Sequence, residues 1–183
     1  MDQIFSTVVT SALVATIAGA AINFWLQSRK ERHVTRFDAL TAAIILEGYA
    51  ISCADKLSDH ALAKASDGHA GTFMESLPEL PKLSIVAGFL KPARARVADR
   101  LMFFPYEVRQ ADQVATFLWD VTTDVDAVRE ASVAQAAKMG LYALDLSADI
   151  REAFKLPKRK IVFGAFDVRE VLEKSRQSDQ GSA

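Results

Sequence analysis

From Ile4 to Leu26 the chain runs 23 residues without a charged side chain. A helix of that length measures roughly 35 Å, more than the roughly 30 Å hydrocarbon core of a bilayer. Sixteen of the 23 residues are apolar; the rest are Gly19, Asn23 and five Ser or Thr, whose hydroxyls can bond back to their own helix. Of the chain's 45 charged residues, only Asp2 falls within the first 28 positions. Core helices of soluble domains seldom run so far without a charge on any face. The stretch therefore predicts a transmembrane helix, with residues 1–27 as the anchor.

A cleaved leader is the competing reading, and Ala18-Gly19-Ala20 offers a small-residue cleavage site. Met1, Asp2 and Gln3 carry no positive charge, however, and the apolar run is longer than a leader needs, so retention is expected. A basic collar over 28–36 follows at once: Arg29, Lys30, Arg32 and Arg36, opposed only by Glu31. By the positive-inside rule this flank stays in the cytoplasm and the short N-terminus is exported. Trp25 lies where interfacial aromatics gather, so Trp25, Arg29, Lys30, Arg32 and Arg36 form the expected membrane interface. Within the span Ser11, Ala15 and Gly19 recur every four residues, the spacing that lets two helices approach closely in lipid. Alanine-rich composition without a eukaryotic targeting signal points to a bacterial inner membrane.

Beyond the collar, residues 37–175 are expected to form an all-α helical bundle, and 176–183 a disordered polar tail. No Gly or Pro interrupts residues 20–47, so the span should continue as one helix into the domain, ending near Asp67-Gly68. Phe37, Leu40, Ile44, Ile51, Ala54 and Leu57 mark its apolar stripe. Short helices broken at Pro92 are expected over 82–104, then a helix opened by Pro105, in which Val108, Val114, Phe117, Leu118, Val121, Val125 and Val128 keep helical spacing. A break near Ser132 separates it from a helix that stops before Pro157. Ile161, Val162, Phe163 and Phe166 suggest an extended turn, and Asp167 with Glu170 the cap of a last short helix.

The net charge of −1 conceals alternating blocks: +2 over residues 1–36, −5 over 37–81, +4 over 82–100, −5 over 101–154 and +3 over 155–183. Long helices are acidic and their connections basic, which would set Lys91, Arg94, Arg96, Arg100 and Lys155, Lys158, Arg159, Lys160 toward an anionic leaflet. A nucleic-acid partner is not expected, because no continuous positive surface accompanies Arg94 to Arg100. With one cysteine, a disulfide scaffold is excluded.

Catalytic signatures are missing from the pattern. Cys53 has no partner at metal-ligand spacing, and no phosphate-cradling loop or nucleophile elbow occurs. The expected function is a single-pass, membrane-anchored binding or scaffolding module at the cytoplasmic face, without cofactor, whose partners are the bilayer, a second copy, or another membrane or cytoplasmic protein. The alternative is a membrane-tethered enzyme or metal-binding protein using Asp55, Asp59, His60, Asp67 and His69.

Overall fold

The computed structural model describes residues 2–83 and 87–180. The described residues form four α-helices: α1 (Asp2–Ala65), α2 (Ala95–Thr122), α3 (Val125–Ala153) and α4 (Val168–Gln180). Two short 3-10 turns, Ala87–Leu90 and Pro92–Arg94, lead into α2, and a hairpin of β1 (Val162–Phe163) and β2 (Phe166–Asp167) precedes α4. The all-α expectation holds, and the hairpin is the extended segment expected from Ile161 to Phe166.

α1 is a single helix of 64 residues, continuous through the collar as its lack of Gly and Pro over 20–47 predicts. It ends where Asp67 and Gly68 turn left-handed, with the Gly68 N–H donating to the Ala63 carbonyl. Its second half forms one wall of the bundle. There the core face is Ala39, Ala42, Ala43, Leu46, Ala50, Cys53, Ala54 and Leu57, whereas Phe37 and Ile44 are exposed. The stripe read from large residues is thus partly displaced, because closely packed helices bury small side chains. α3 answers with Ala136, Ala137, Gly140, Ala143 and Ser147, all buried.

Helix directions follow from the contacts. Arg36 reaches the carbonyl of Lys155, Glu47 meets Ser147 and Arg151, and a Cβ on Gly140 would lie 3.1 Å from that of Cys53, so α1 and α3 are antiparallel. α2 pairs Arg100 with Asp149 at its start, and its Asp112 accepts from the Leu77 amide further along, so it runs with α1. α4 also runs with α1, since Arg169 binds Asp145 and Leu172 packs at Gly140. An aromatic ladder, Tyr49 against Phe104 and Phe104 against Tyr142, ties α1, α2 and α3 together.

Three local expectations are corrected. Pro105 does not open a helix; it lies inside α2, which begins ten residues earlier. The buried neighbours Leu101 and Phe104 hold the helix through the proline, and tertiary packing offsets the lost backbone bond. The break expected near Ser132 falls instead at Thr123, which is left-handed at φ 53°, and Asp124, whose side chain caps the amides of Asp126 and Ala127. Ser132 is buried inside α3 and donates to the Glu75 carbonyl. Val114, Phe117 and Val121 are exposed, and the buried face of α2 is Ala98, Leu101, Phe104, Val108, Ala111 and Ala115. The Asp167 cap is present, accepting from the amides of Arg169 and Glu170, and α4 extends through 176–180.

Candidate functional site

One end of the bundle concentrates the basic residues. Arg36, the last residue of the collar, donates from Nη2 to the Lys155 carbonyl at 3.0 Å. The Arg94 guanidinium lies 4.0 Å from the centre of the Phe154 ring, which also packs on Phe89 at 4.6 Å. These contacts gather the collar, the turn before α2 and the segment after α3 at the end where α1 enters the bundle. Segments 29–36, 91–96 and 155–160 supply eleven of the chain's 22 Lys and Arg, with Glu31 their one acid. Lys91, Arg96, Lys155, Lys158, Arg159 and Lys160 are exposed.

A cleft of about 470 Å³ opens beside this end, between α3 and the segment leading to the hairpin. Its floor carries Glu47 and Arg151, both buried. Glu47 accepts from Ser147 at 2.7 Å and from Arg151 Nε and Nη2 at 2.6 and 3.0 Å, while Arg151 Nη1 donates to the Pro157 carbonyl at 2.9 Å. Arg151 thereby fixes the path of the chain that presents Lys158, Arg159 and Lys160 at the rim. Arg169, also at the rim, donates to Asp145 at 2.6 Å, the hydrogen bond that chiefly raises its pKa further above the ordinary arginine value. Glu47 and Arg151 balance one another on the floor, so the cleft's net positive character comes from Lys158, Arg159, Lys160 and Arg169, which outnumber Glu152 and Asp167 in its lining.

Of the expected interface residues, Trp25, Arg29, Lys30, Arg32 and Arg36 are all exposed, and Arg29 lies 5.4 Å from the centre of the Trp25 ring. The side chains of Ser11 and Ala15 lie outside the described residues; Gly19 is exposed, with nothing within 4 Å of the position a Cβ would take. Ahead of the collar α1 is open to its surroundings: Ile22, Phe24, Trp25 and Leu26 are 51–75% exposed, and among the described residues the first hydrogen bond to the bundle is that of Arg36.

The residues proposed as metal ligands are not gathered. Among the described residues no group of three or more His, Cys, Asp or Glu side chains is placed to hold an ion. His60 Nδ1 instead accepts the Met74 amide at 3.1 Å, and its ring meets Phe73 edge-on, with Arg129 stacked on the other ring. Burial, then the positive charges of Lys64 and Arg129, hold the His60 pKa below its ordinary value. Cys53 is fully buried and its thiol is pushed up to about 12 by burial, which keeps it protonated and unreactive.

Two features escape the sequence reading. The Glu47–Arg151 pair spans 104 residues, and no local pattern announces it. The other is the exposure of an apolar row on α2, Phe103, Tyr106, Val114, Phe117 and Val121, opposite its buried face; the last three belong to the stripe read from the sequence, and only their outward direction was missed. Spacings of three and four residues, with Gln110 completing the row, were visible, but two apolar faces on one helix cannot be told apart by periodicity alone. Compared with family models, curated proteins and solved structures, the chain matches none.

Proposed function

We propose that the protein is a single-pass membrane-anchored binding module, with its N-terminus exported, its bundle at the cytoplasmic face of a bacterial inner membrane, and a second copy of itself as the partner. The observation that carries the anchor is the exposed apolar stretch of α1 ahead of the collar. α1 is long and apolar enough to cross a membrane. The most apolar described window within Ile22–Ala65 is half buried, so the bundle accounts for much of its character. Among the described residues no protein surface covers Ile22 to Leu26, and lipid is the environment that would satisfy them. The basic collar then sets the orientation.

Self-association is supported by the row on α2. Large exposed apolar surfaces on soluble domains mark interaction sites. Because α2 runs with α1, anchored copies would hold their α2 rows at the same height. A two-fold axis along the membrane normal would bring Phe103, Tyr106 and Phe117 against their own counterparts, the self-complementary contact of a symmetric dimer. The small-residue row Ser11, Ala15 and Gly19 would serve the same axis inside the lipid.

The test is carbonate extraction of membranes holding the full chain, followed by disulfide crosslinking of a Phe117→Cys variant. Retention in the membrane with crosslinked dimer supports the reading. Release by carbonate contradicts the anchor; retention without dimer contradicts self-association.

A further inference from the structure

The basic end of the bundle faces the same way as the anchor. Ten residues separate Leu26 from Arg36, about 15 Å of helix. The headgroup zone occupies roughly 5–8 Å of that distance, and the remainder is close to one Debye length at physiological ionic strength. A straight helix thus delivers segments 91–96 and 155–160 to a height at which an anionic surface still attracts them. A modest tilt lowers one side further.

Charge alone does not make a lipid face, and a second observation supplies the apolar part. Leu90 is 62% exposed immediately before Lys91, and Phe163, at the tip of the hairpin, is 53% exposed with Val162 at 45%, just after Lys158-Arg159-Lys160. Solvent-exposed Phe and Leu directly beside clustered Lys and Arg are the pairing by which peripheral segments enter the headgroup boundary: rings and alkyl stems sink while the charges meet phosphates. The acidic blocks, 37–81 and 101–154, lie chiefly along the helices that lead away from this end, so the domain is electrostatically polarised along α1. An anionic surface would pull on one end and repel the other.

We infer that this end of the bundle, built from the basic segments 29–36, 91–96 and 155–160 with Leu90 and Phe163 as apolar contacts, docks on the anionic phospholipid headgroups of the leaflet its own anchor crosses. The inference rests on the reading of α1 as a membrane span. It adds a second contact that the anchor does not require, and this contact holds the domain against the bilayer at a fixed attitude. Tethering through α1 gives the face a high effective concentration at the surface, so weak headgroup contacts suffice.

The experiment uses the full chain reconstituted in bilayers of phosphatidylcholine alone or mixed with phosphatidylglycerol. An environment-sensitive dye on an Ala165→Cys variant reports at the hairpin turn; Cys53 stays unlabelled because it is buried. Flotation under carbonate first establishes insertion in both bilayers. The expected result is a blue-shifted dye, quenched by headgroup-linked quenchers, in the anionic bilayer at low salt only. The shift should be lost at high salt, in the Lys158→Gln/Arg159→Gln/Lys160→Gln variant, and largely in Phe163→Ser, each with an unchanged circular dichroism spectrum. Each neutralised basic residue weakens surface attraction by roughly fivefold, so three should abolish the shift. Inserted protein whose dye ignores lipid charge and salt overturns the docking but leaves the anchor standing. A dye that responds instead to an added soluble polyanion overturns it in favour of a different partner. Failure of the chain to insert at all overturns the anchor and the docking together.

Discussion

Glu47 and Arg151 form a buried bidentate ion pair across the α1–α3 seam, with contacts of 2.6 and 3.0 Å and both side chains 7% exposed. The pair joins the helix that carries the anchor to the segment that carries Lys158 to Lys160, because Arg151 also holds the Pro157 carbonyl. Its role is one of position: desolvation offsets most of the attraction in such a pair, while breaking it strands a charge.

Removing one partner should therefore cost far more than removing both. Arg151→Met leaves the Glu47 carboxylate buried with Ser147 as its remaining partner and should destabilise the bundle by about 3–5 kcal/mol. The double variant Glu47→Leu/Arg151→Met should recover most of that loss. Chemical unfolding of the detergent-solubilised chain measures both; equal losses in single and double variants would contradict the assignment.

Much of the architecture was legible because its signals are local. The uninterrupted first helix, its end at Asp67-Gly68, the hairpin and the Asp167 cap all follow from residues within a few positions of each other. What was not legible depends on neighbours distant in sequence. Pro105 is carried through α2 by the packing of Leu101 and Phe104, and the core face of α1 falls on alanines because α3 comes close. The basic end was legible as composition, and its convergence needed the contacts of Arg36 with Lys155 and Arg94 with Phe154. The five acidic and histidine side chains from Asp55 to His69 share a stretch of sequence without sharing a site.

Two helical glycines should respond to alanine with opposite signs. A Cβ on Gly140 would meet Leu172 Cδ2 at 2.7 Å and Cys53 Cβ at 3.1 Å, where α1, α3 and α4 converge. Gly140→Ala should destabilise by about 1–3 kcal/mol despite its better helix propensity. Gly48 has nothing within 4 Å of the same position, so Gly48→Ala should stabilise by about 0.5–1 kcal/mol. Thermal unfolding midpoints moving down and up respectively are the expected result; a gain at Gly140 would mean that the three helices are not packed this closely.

His60 should make stability depend on pH in the mildly acidic range. Its folded pKa lies below 6.5 because of burial first, then Lys64 and Arg129, while the Met74 amide occupies Nδ1. As pH falls through 6.5 the unfolded chain takes up the proton before the folded one. The contribution is thus complete above 6.5, declines below it, and is lost once the folded ring is protonated as well. His60→Asn keeps a side-chain acceptor but cannot titrate, so its denaturation midpoint should fall less than that of the wild type between neutral and mildly acidic buffer. Equal pH dependence in the two proteins would contradict the assignment.

The membrane reading stands or falls on where the two ends of the chain lie. Single cysteines at Gln3 and Gln177, labelled in intact cells and inverted vesicles with a reagent that cannot cross the bilayer, locate both; buried Cys53 contributes no signal. The expected result is that Gln3→Cys reacts only from outside the cell and Gln177→Cys only from the cytoplasmic face. Reaction of both positions from the same side would show that α1 does not cross the membrane.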